Sequence, residues 1–182
     1  MFLLRKIYCR TFQTVFRIAI PFLPYRNPKI IPAVSGITDV CRKYGVESVM
    51  IVTDAGIRAL GLTDFLEKTL KEEGISYCVY DRTVANPTIQ NVEEARKMYL
   101  EHEAQGIIAF GGGSSMDCAK AAGARIVKPR QSIRQMRGLL KVHRRLPLLI
   151  AVPTTAGTGS ETTLAAVITD SEKHYKYPIN DF

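Results

Sequence analysis

The chain of 182 residues contains 46% hydrophobic and 23% charged residues, so it can bury a core and is not disordered throughout. Its formal net charge of +8 allows three kinds of anionic partner: nucleic acid, a membrane surface, or a small ligand that carries phosphate. The four cysteines form neither a CxxC pair nor a metal-ligand pattern, which predicts structural thiols in a reducing compartment.

The first element in chain order is a basic N-terminal segment (residues 1–27). Arg5, Lys6, Arg10 and Arg17 interrupt its apolar runs, and no run reaches the ~20 residues that a membrane span requires. We therefore predict an amphipathic helix that packs on the domain or on a partner, with reversible contact to a membrane surface as the alternative. We expect a cytoplasmic protein with no export signal and no membrane span.

Beyond this segment, apolar runs alternate with helical patterns over residues 28–182, which we assign to one domain. The sequence predicts strands over 46–53, 75–80, 107–110 and 148–152, a short strand over 167–169, and helices over 62–73, 92–105 and 115–125. Strands that alternate with helices predict an α/β domain with a Rossmann-like parallel sheet and helices on both faces. In such a sheet, ligands bind at the carboxyl ends of the strands.

Three glycines (residues 111–113) stand between the third predicted strand and the following helix. Glycine lets the backbone turn sharply and approach a ligand, and the N–H groups at a helix start suit a pyrophosphate. We expect Ser114 to cap this helix, Asp117 to complete a variant of the capping box, and Lys120 to pair with Asp117 or face a ligand. Met116 replaces the last glycine of the usual GxGxxG motif. The alternative interpretation, a tight turn between strand and helix that binds no ligand, therefore remains.

A loop rich in hydroxyl groups (residues 154–163) follows the fourth strand. Its side chains can bond to ribose, phosphate or adenine, although a flexible surface loop has the same composition. Asp54 ends the first strand, where a carboxylate can accept hydrogen bonds from the ribose hydroxyls of NAD or form a turn. The hydroxyl groups of the loop belong to Thr154, Thr155, Thr158, Ser160, Thr162 and Thr163.

Elsewhere the sequence shows no acid, base or nucleophile in a catalytic pattern, and His102, His143 and His174 form no metal-binding motif. The segment 125–145 carries eight basic residues and no acidic one. It supports a rival hypothesis, a basic nucleic-acid or regulatory binding module. A solvated helix and loop between two strands is the alternative for this segment, and we expect no nucleic-acid partner.

The motifs GGGSSMDCAKA and IAVPTTAGTGSETT occur in this order, with VTD and ANPT before them and VITD and KYPINDF after them. In these motifs the chain resembles the iron-containing (group III) alcohol dehydrogenase family over roughly residues 28–182. The resemblance implies an α/β domain that binds NAD(H), with NADP(H) as the alternative, followed by an all-helical domain that holds Fe(II) or Zn(II). It also implies hydride transfer between an alcohol or aldehyde substrate and the nicotinamide.

The resemblance further implies a role for individual residues. Asp54 matches the carboxylate that meets the adenosine ribose, and Asn86 lies in the turn beside the cofactor. Asp117 matches an aspartate near the nicotinamide end, and Lys176 matches a lysine near the ribose. The implied pyrophosphate contacts are Gly112, Gly113 and Ser114, and the implied adenine and ribose contacts are Thr154, Thr155, Thr158 and Thr163.

In the family that the chain resembles, an aspartate and three histidines hold the metal, all beyond the position that matches Phe182. We therefore expect this chain to lack the metal ligands, to show no dehydrogenase activity alone, and to bind NAD(H) weakly or not at all. We also expect the surface that the helical domain would cover to promote self-association, and so a homo-oligomer.

Overall fold

The computed structural model describes residues 2–19 and 27–181. Short 3-10 helices cover Val34–Gly36 and Ile133–Met136. The α-helices are α1 (Phe2–Ala19), α2 (Ile37–Lys43), α3 (Ala55–Ala59), α4 (Asp64–Glu72), α5 (Ile89–Glu101) and α6 (Gly113–Val127). The strands are β1 (Ser48–Val52), β2 (Ser76–Tyr80), β3 (Gly106–Gly111), β4 (Gly138–Leu139), β5 (Leu148–Pro153), β6 (Ala165–Asp170) and β7 (Tyr175–Asn180).

Four parallel strands form the main sheet in the order β2-β1-β3-β5. Both faces of this sheet are covered, because successive side chains of a strand point to opposite faces. Met50 and Val52 of β1 join the apolar cluster formed with α5 and α6, whereas Val49 and Ile51 join the cluster formed with α2 and α4. The predicted Rossmann-like sheet with helices on both faces is confirmed.

A second sheet of three strands has the order β4-β7-β6. β6 and β7 form an antiparallel hairpin, and β4 pairs with β7 in parallel. The prediction of a short strand over 167–169 is confirmed as part of β6, but β7 was not predicted. The hairpin joins the main domain where the N–H of Thr169 donates to the carbonyl of Pro87 at 2.8 Å.

The basic segment 125–145 contains the end of α6, a 3-10 helix and loops, and most of its basic side chains are exposed, but the segment also contributes to the core. Ile133 and Met136 are buried in the core. The guanidinium of Arg125 forms an ion pair with Glu93 at 2.5 Å, and that of Arg134 pairs with Asp170 at 2.6 Å. Bonding to Arg134 lowers the pKa of the Asp170 carboxyl to about 2.

Two helix starts differ from the predicted ones because of their caps. Thr88 caps α5 in a capping box with Asn91, so this helix begins three residues before the predicted start at residue 92. The helix α6 begins at Gly113, because Gly112 rather than Ser114 takes the N-cap position. Among residues 2–19 and 27–181, no helix is both long and apolar enough to cross a bilayer.

Candidate cofactor-binding site

The strand order places a crevice at the carboxyl ends of β1 and β3. The chain passes from β1 to β2 on one side and later returns to β3 on the other side, so the order reverses at this point. Open parallel sheets bind ligands at such a switch point. Asp54 follows β1, and the glycine turn (residues 111–113) begins at the last residue of β3. Two of the predicted site features therefore meet at the crevice.

Asp54 lies half-buried at the mouth of β1. Its Oδ1 atom accepts a hydrogen bond from the N–H of Ile57 at 3.0 Å and so caps α3. Its Oδ2 atom lies 3.5 Å from the Oγ atom of Ser115, at the start of α6. The carboxylate thus caps the turn into α3, in agreement with one of the two interpretations of the sequence, and also faces the start of α6.

Gly111 is the position in the glycine turn at which a side chain fits least. Its φ of +146° lies in a region that residues with a Cβ rarely adopt. A Cβ atom at this position would lie 2.6 Å from the Oγ atom of Ser115 and 3.5 Å from the Oδ2 atom of Asp54. The turn therefore brings α6 directly out of β3, which explains why the helix begins before Ser114.

The hydroxyl-rich loop (residues 154–163) packs against the glycine turn. The N–H of Thr154 donates to the carbonyl of Gly111 at 3.0 Å. A Cβ atom on Gly112 would lie 3.3 Å from the Oγ1 atom of Thr155. On Gly113, by contrast, a Cβ atom would lie 3.5 Å from the Cβ of Thr158, which is ordinary contact. Three of the predicted threonines therefore border the turn.

Ser114 does not cap α6, contrary to the sequence prediction. Gly112 occupies the cap position in an extended conformation and forms no side-chain cap bond. The Oγ atom of Ser114 instead accepts a hydrogen bond from the N–H of Asn86 at 3.2 Å. Asn86 has a φ of +60°, which asparagine tolerates better than most residues. The turn after β2 is thereby joined to the start of α6, and both are candidate cofactor contacts.

Asp117 binds two other parts of the chain, so it does not form the expected capping box. The hydroxyl of Ser160 donates to its Oδ1 atom at 2.6 Å, and the N–H of Val167 donates to its Oδ2 atom at 3.0 Å. The Nζ atom of Lys120 lies 3.7 Å from Oδ1, which confirms the predicted pairing of these two side chains. Asp117 therefore connects α6, the hydroxyl-rich loop and β6.

Lys120 fastens the far end of the hydroxyl-rich loop to α6. Its Nζ atom donates to the carbonyl oxygens of Thr163 at 3.1 Å and Ala165 at 2.7 Å. It also reaches the hydroxyl groups of Thr163 and Ser160. Burial lowers the pKa of the Lys120 ammonium, while the nearby Asp117 carboxylate opposes that change. The sequence predicts that Lys120 pairs with Asp117, but it does not reveal the bonds from Lys120 to the loop, because those partners lie 40 to 45 residues further along the chain.

Lys176 stands apart from these contacts. It is exposed in β7, where it pairs with Thr169 of β6. No hydrogen bond in the described part of the chain joins its side chain to the crevice. A cofactor contact for this residue stays a prediction.

The described residues contain no group of three or more histidine, cysteine, aspartate or glutamate side chains that could hold a metal ion. Cys41, Cys78 and Cys118 are buried free thiols, whereas Cys9 is exposed. Burial raises the pKa of the Cys78 thiol to about 11 and that of Cys118 to about 12. These two buried thiols are thus protonated at neutral pH, which makes them poor nucleophiles and metal ligands.

The fold and the crevice together define an α/β protein of the class that binds a ligand at the switch point of a parallel sheet. Comparison with known proteins narrows this class. The sequence model of the family described as iron-containing alcohol dehydrogenase matches residues 32–182. The chain is 39% identical to a choline dehydrogenase of Bacillus subtilis (strain 168) over 135 residues, which cover 73% of this chain and 34% of that protein.

Solved structures agree with the family match. An alcohol dehydrogenase from Oenococcus oeni has a TM-score of 0.75 and 37% identity, over 80% of this chain and 38% of that one. A sulfoacetaldehyde reductase from Bifidobacterium kashiwanohense, solved in complex with NAD+, has a TM-score of 0.73 and 28% identity, over 87% of this chain and 43% of that one. The chain belongs to the iron-containing alcohol dehydrogenase family. It spans between a third and a half of the length of these relatives.

Proposed function

We propose that this chain is the dinucleotide-binding part of an NAD(H)-linked alcohol dehydrogenase or aldehyde reductase. The observation that carries the proposal is the convergence of Asp54, the glycine turn and the hydroxyl-rich loop at one switch point of the sheet. The NAD+ complex of the sulfoacetaldehyde reductase supports the choice of cofactor. The alcohol or aldehyde itself stays unidentified.

We assign the pyrophosphate to the start of α6. The first N–H groups of a helix have no partner within the helix and carry a partial positive charge, which suits a phosphate. Gly112, Gly113 and Ser114 lie at this helix start. Glycine at the first two positions lets the backbone approach the ligand closely, because no Cβ stands in the way.

We assign the ribose and adenine of the cofactor to residues that flank the start of α6. Each oxygen of the Asp54 carboxylate has one partner within the chain and keeps a further lone pair that can accept a hydrogen bond from the adenosine ribose hydroxyls. The negative charge would repel a 2′-phosphate, which favours NAD(H) over NADP(H). Asn86 and Lys176 are proposed as further contacts. Asp117 is proposed to lie near the nicotinamide end, although both of its oxygens already hold the loop and β6. The proposed loop contacts are Thr154, Thr155, Thr158 and Thr163.

The described residues do not fit the metal of the family, because they contain no group of side chains that could hold a metal ion. We propose that residues 1–182 alone bind NAD(H) weakly, with a Kd of about 1 to 10 mM, and do not oxidise alcohols. Robust NADH formation from NAD+ and a panel of alcohols with added Fe(II) or Zn(II) would contradict this part of the proposal.

Titration with NADH, followed by ligand-detected NMR, tests the cofactor assignment. Asp54→Asn keeps a residue that caps helices well but removes the charge, so we expect NADH affinity to fall about tenfold and the preference over NADPH to shrink. Asp39→Asn, at an exposed carboxylate on α2, is the matched control and should leave both affinities unchanged. Failure of NADH to bind at concentrations of about 10 mM, or equal losses in the two variants, would refute the assignment.

The rival hypothesis of a nucleic-acid module has less support. Arg125 and Arg134 form ion pairs within the domain, with Glu93 and Asp170. The guanidinium of Arg137 lies over the ring of Tyr175, 4.7 Å from its centroid. Salt-dependent binding to duplex DNA without binding to NADH would favour this rival.

Self-association and a cytoplasmic location also stay proposals. In the described part of the chain, β5 has one neighbour in its sheet, and a groove of about 1720 Å³ runs beside it. Exposed edges and apolar grooves of this kind favour association between copies. Light scattering that finds a clean monomer would contradict the oligomer.

A further inference from the structure

The helix α1 is an addition to the family domain. It spans Phe2–Ala19, whereas the family match begins at residue 32. In the described part of the chain, the residues of the two apolar clusters that cover the main sheet all lie after α1. A separate role for α1 therefore has to be sought in its own surface.

The side chains of α1 divide into two faces. Lys6, Arg10 and Arg17 recur at intervals of four and seven residues, which places them on one side of the helix. The apolar residues Ile7, Tyr8, Val15 and Ile18 occupy the other side. Each of these four apolar side chains is between 54% and 71% exposed.

The charge of the segment has one sign. The first acidic residue of the chain is Asp39, so the positive charges of α1 have no carboxylate on their own helix. This cationic face is complementary to an anionic surface. A partner must also cover the apolar face, since exposed apolar area of this kind favours association.

An anionic lipid bilayer meets both requirements at once. An amphipathic helix with a basic polar face lies in the plane of the membrane interface, with its apolar side among the acyl chains and its cations among the headgroups. Nucleic acid would take the charge but leave the apolar side chains in water. Tyr8 has the amphipathic ring that is enriched at membrane interfaces.

We propose that α1 is an interfacial anchor that holds the domain against an anionic lipid bilayer. The helix lies on the membrane and does not cross it, in keeping with the absence of a spanning helix among the described residues. The proposal does not depend on the cofactor or on the reaction, because α1 lies outside the family match.

Co-sedimentation of the 182-residue chain with vesicles tests the proposal. We expect binding to vesicles of phosphatidylglycerol and phosphatidylcholine, at least about tenfold weaker binding to phosphatidylcholine alone, and progressive release as salt is raised. These measurements use the unaltered chain, so they do not depend on the folding of any variant. Binding to neither kind of vesicle, or equal binding to both, overturns the proposal.

Two double variants separate the faces of the helix. Ile7→Asp with Val15→Asp removes the apolar face, and Arg10→Glu with Arg17→Glu reverses the cationic one. Each should lower binding to anionic vesicles by about tenfold or more. The charge-matched control is Lys68→Glu with Lys97→Glu, at exposed positions of α4 and α5, and should stay within about twofold of the unaltered chain.

Three further outcomes would overturn the proposal. An equal loss in the control would reduce the binding to net charge alone. Tighter binding to duplex DNA than to vesicles, unaffected by the change at Ile7 and Val15, would assign the helix to nucleic acid. Unchanged vesicle binding in both α1 variants would place the membrane contact elsewhere on the chain.

Discussion

Replacement of Gly111 by alanine tests whether the glycine turn is as closely built as its geometry indicates. The backbone φ of +146° disfavours alanine by roughly 1–3 kcal/mol. The new methyl group would lie 2.6 Å from the Oγ atom of Ser115, and relief of such an overlap costs roughly another 1–3 kcal/mol. We expect the free energy of unfolding to fall by about 2–6 kcal/mol.

Gly113→Ala is the matched control, because its methyl group would meet the Cβ of Thr158 at an ordinary 3.5 Å. Alanine also suits a helix better than glycine, so this variant should stay within about 1 kcal/mol of the unaltered chain. Urea unfolding followed by circular dichroism measures both variants. A loss of each kcal/mol corresponds to a decrease of about 2–4 °C in Tm for a chain of this size.

Combination of Gly111→Ala with Ser115→Ala isolates the steric part of the effect. Removal of the Oγ atom should recover about 1 kcal/mol of the loss, while the cost of the backbone conformation persists. The reasoning is refuted if Gly111→Ala changes stability by less than about 1 kcal/mol, or if Gly113→Ala is equally harmful.

Two further predictions concern buried ionisable groups. Lys120→Met removes the cationic partner of Asp117 and should lower the free energy of unfolding by about 2–4 kcal/mol. The control Lys97→Met, at an exposed ion pair, should lower it by less than about 0.5 kcal/mol. Equal losses of the two variants in urea unfolding would contradict this prediction. Burial raises the pKa of Cys78 to about 11 and that of Cys118 to about 12. The contribution of these two thiols to the free energy of unfolding is therefore complete below pH 9 and declines as the pH rises towards those values. A urea midpoint that rises with pH above 9 would contradict this prediction.

The main sheet could be predicted from the sequence because its signals are local. A strand that is buried on both faces is apolar along its length, as β1 and β3 are, and glycine or proline marks most of the turns. The crevice followed from the rule that ligands bind at the carboxyl ends of parallel strands. Asp54 and the glycine turn were assigned to it on that basis.

The remaining features depend on contacts between distant parts of the chain. Pro178 argues against a strand in its sequence context, yet it lies in β7 opposite Val167. The acidic partners of Arg134 are Asp170 and Glu172, 36 and 38 residues further along the chain. The prediction that Ser114 caps α6 is wrong for a conformational reason. The chain turns at Gly111, where φ is +146°, so the helix begins earlier than the residue types suggest.

The carboxylate of Asp117 has a mechanical consequence for the whole domain. It couples α6 to β6 through the N–H of Val167, and β6 is pinned through Thr169 to the turn that contains Asn86. That turn bonds back to Ser114 at the start of α6, so these contacts close into a ring. We expect these joined contacts to be lost together rather than one at a time, so that the rim of the crevice behaves as one cooperative unit.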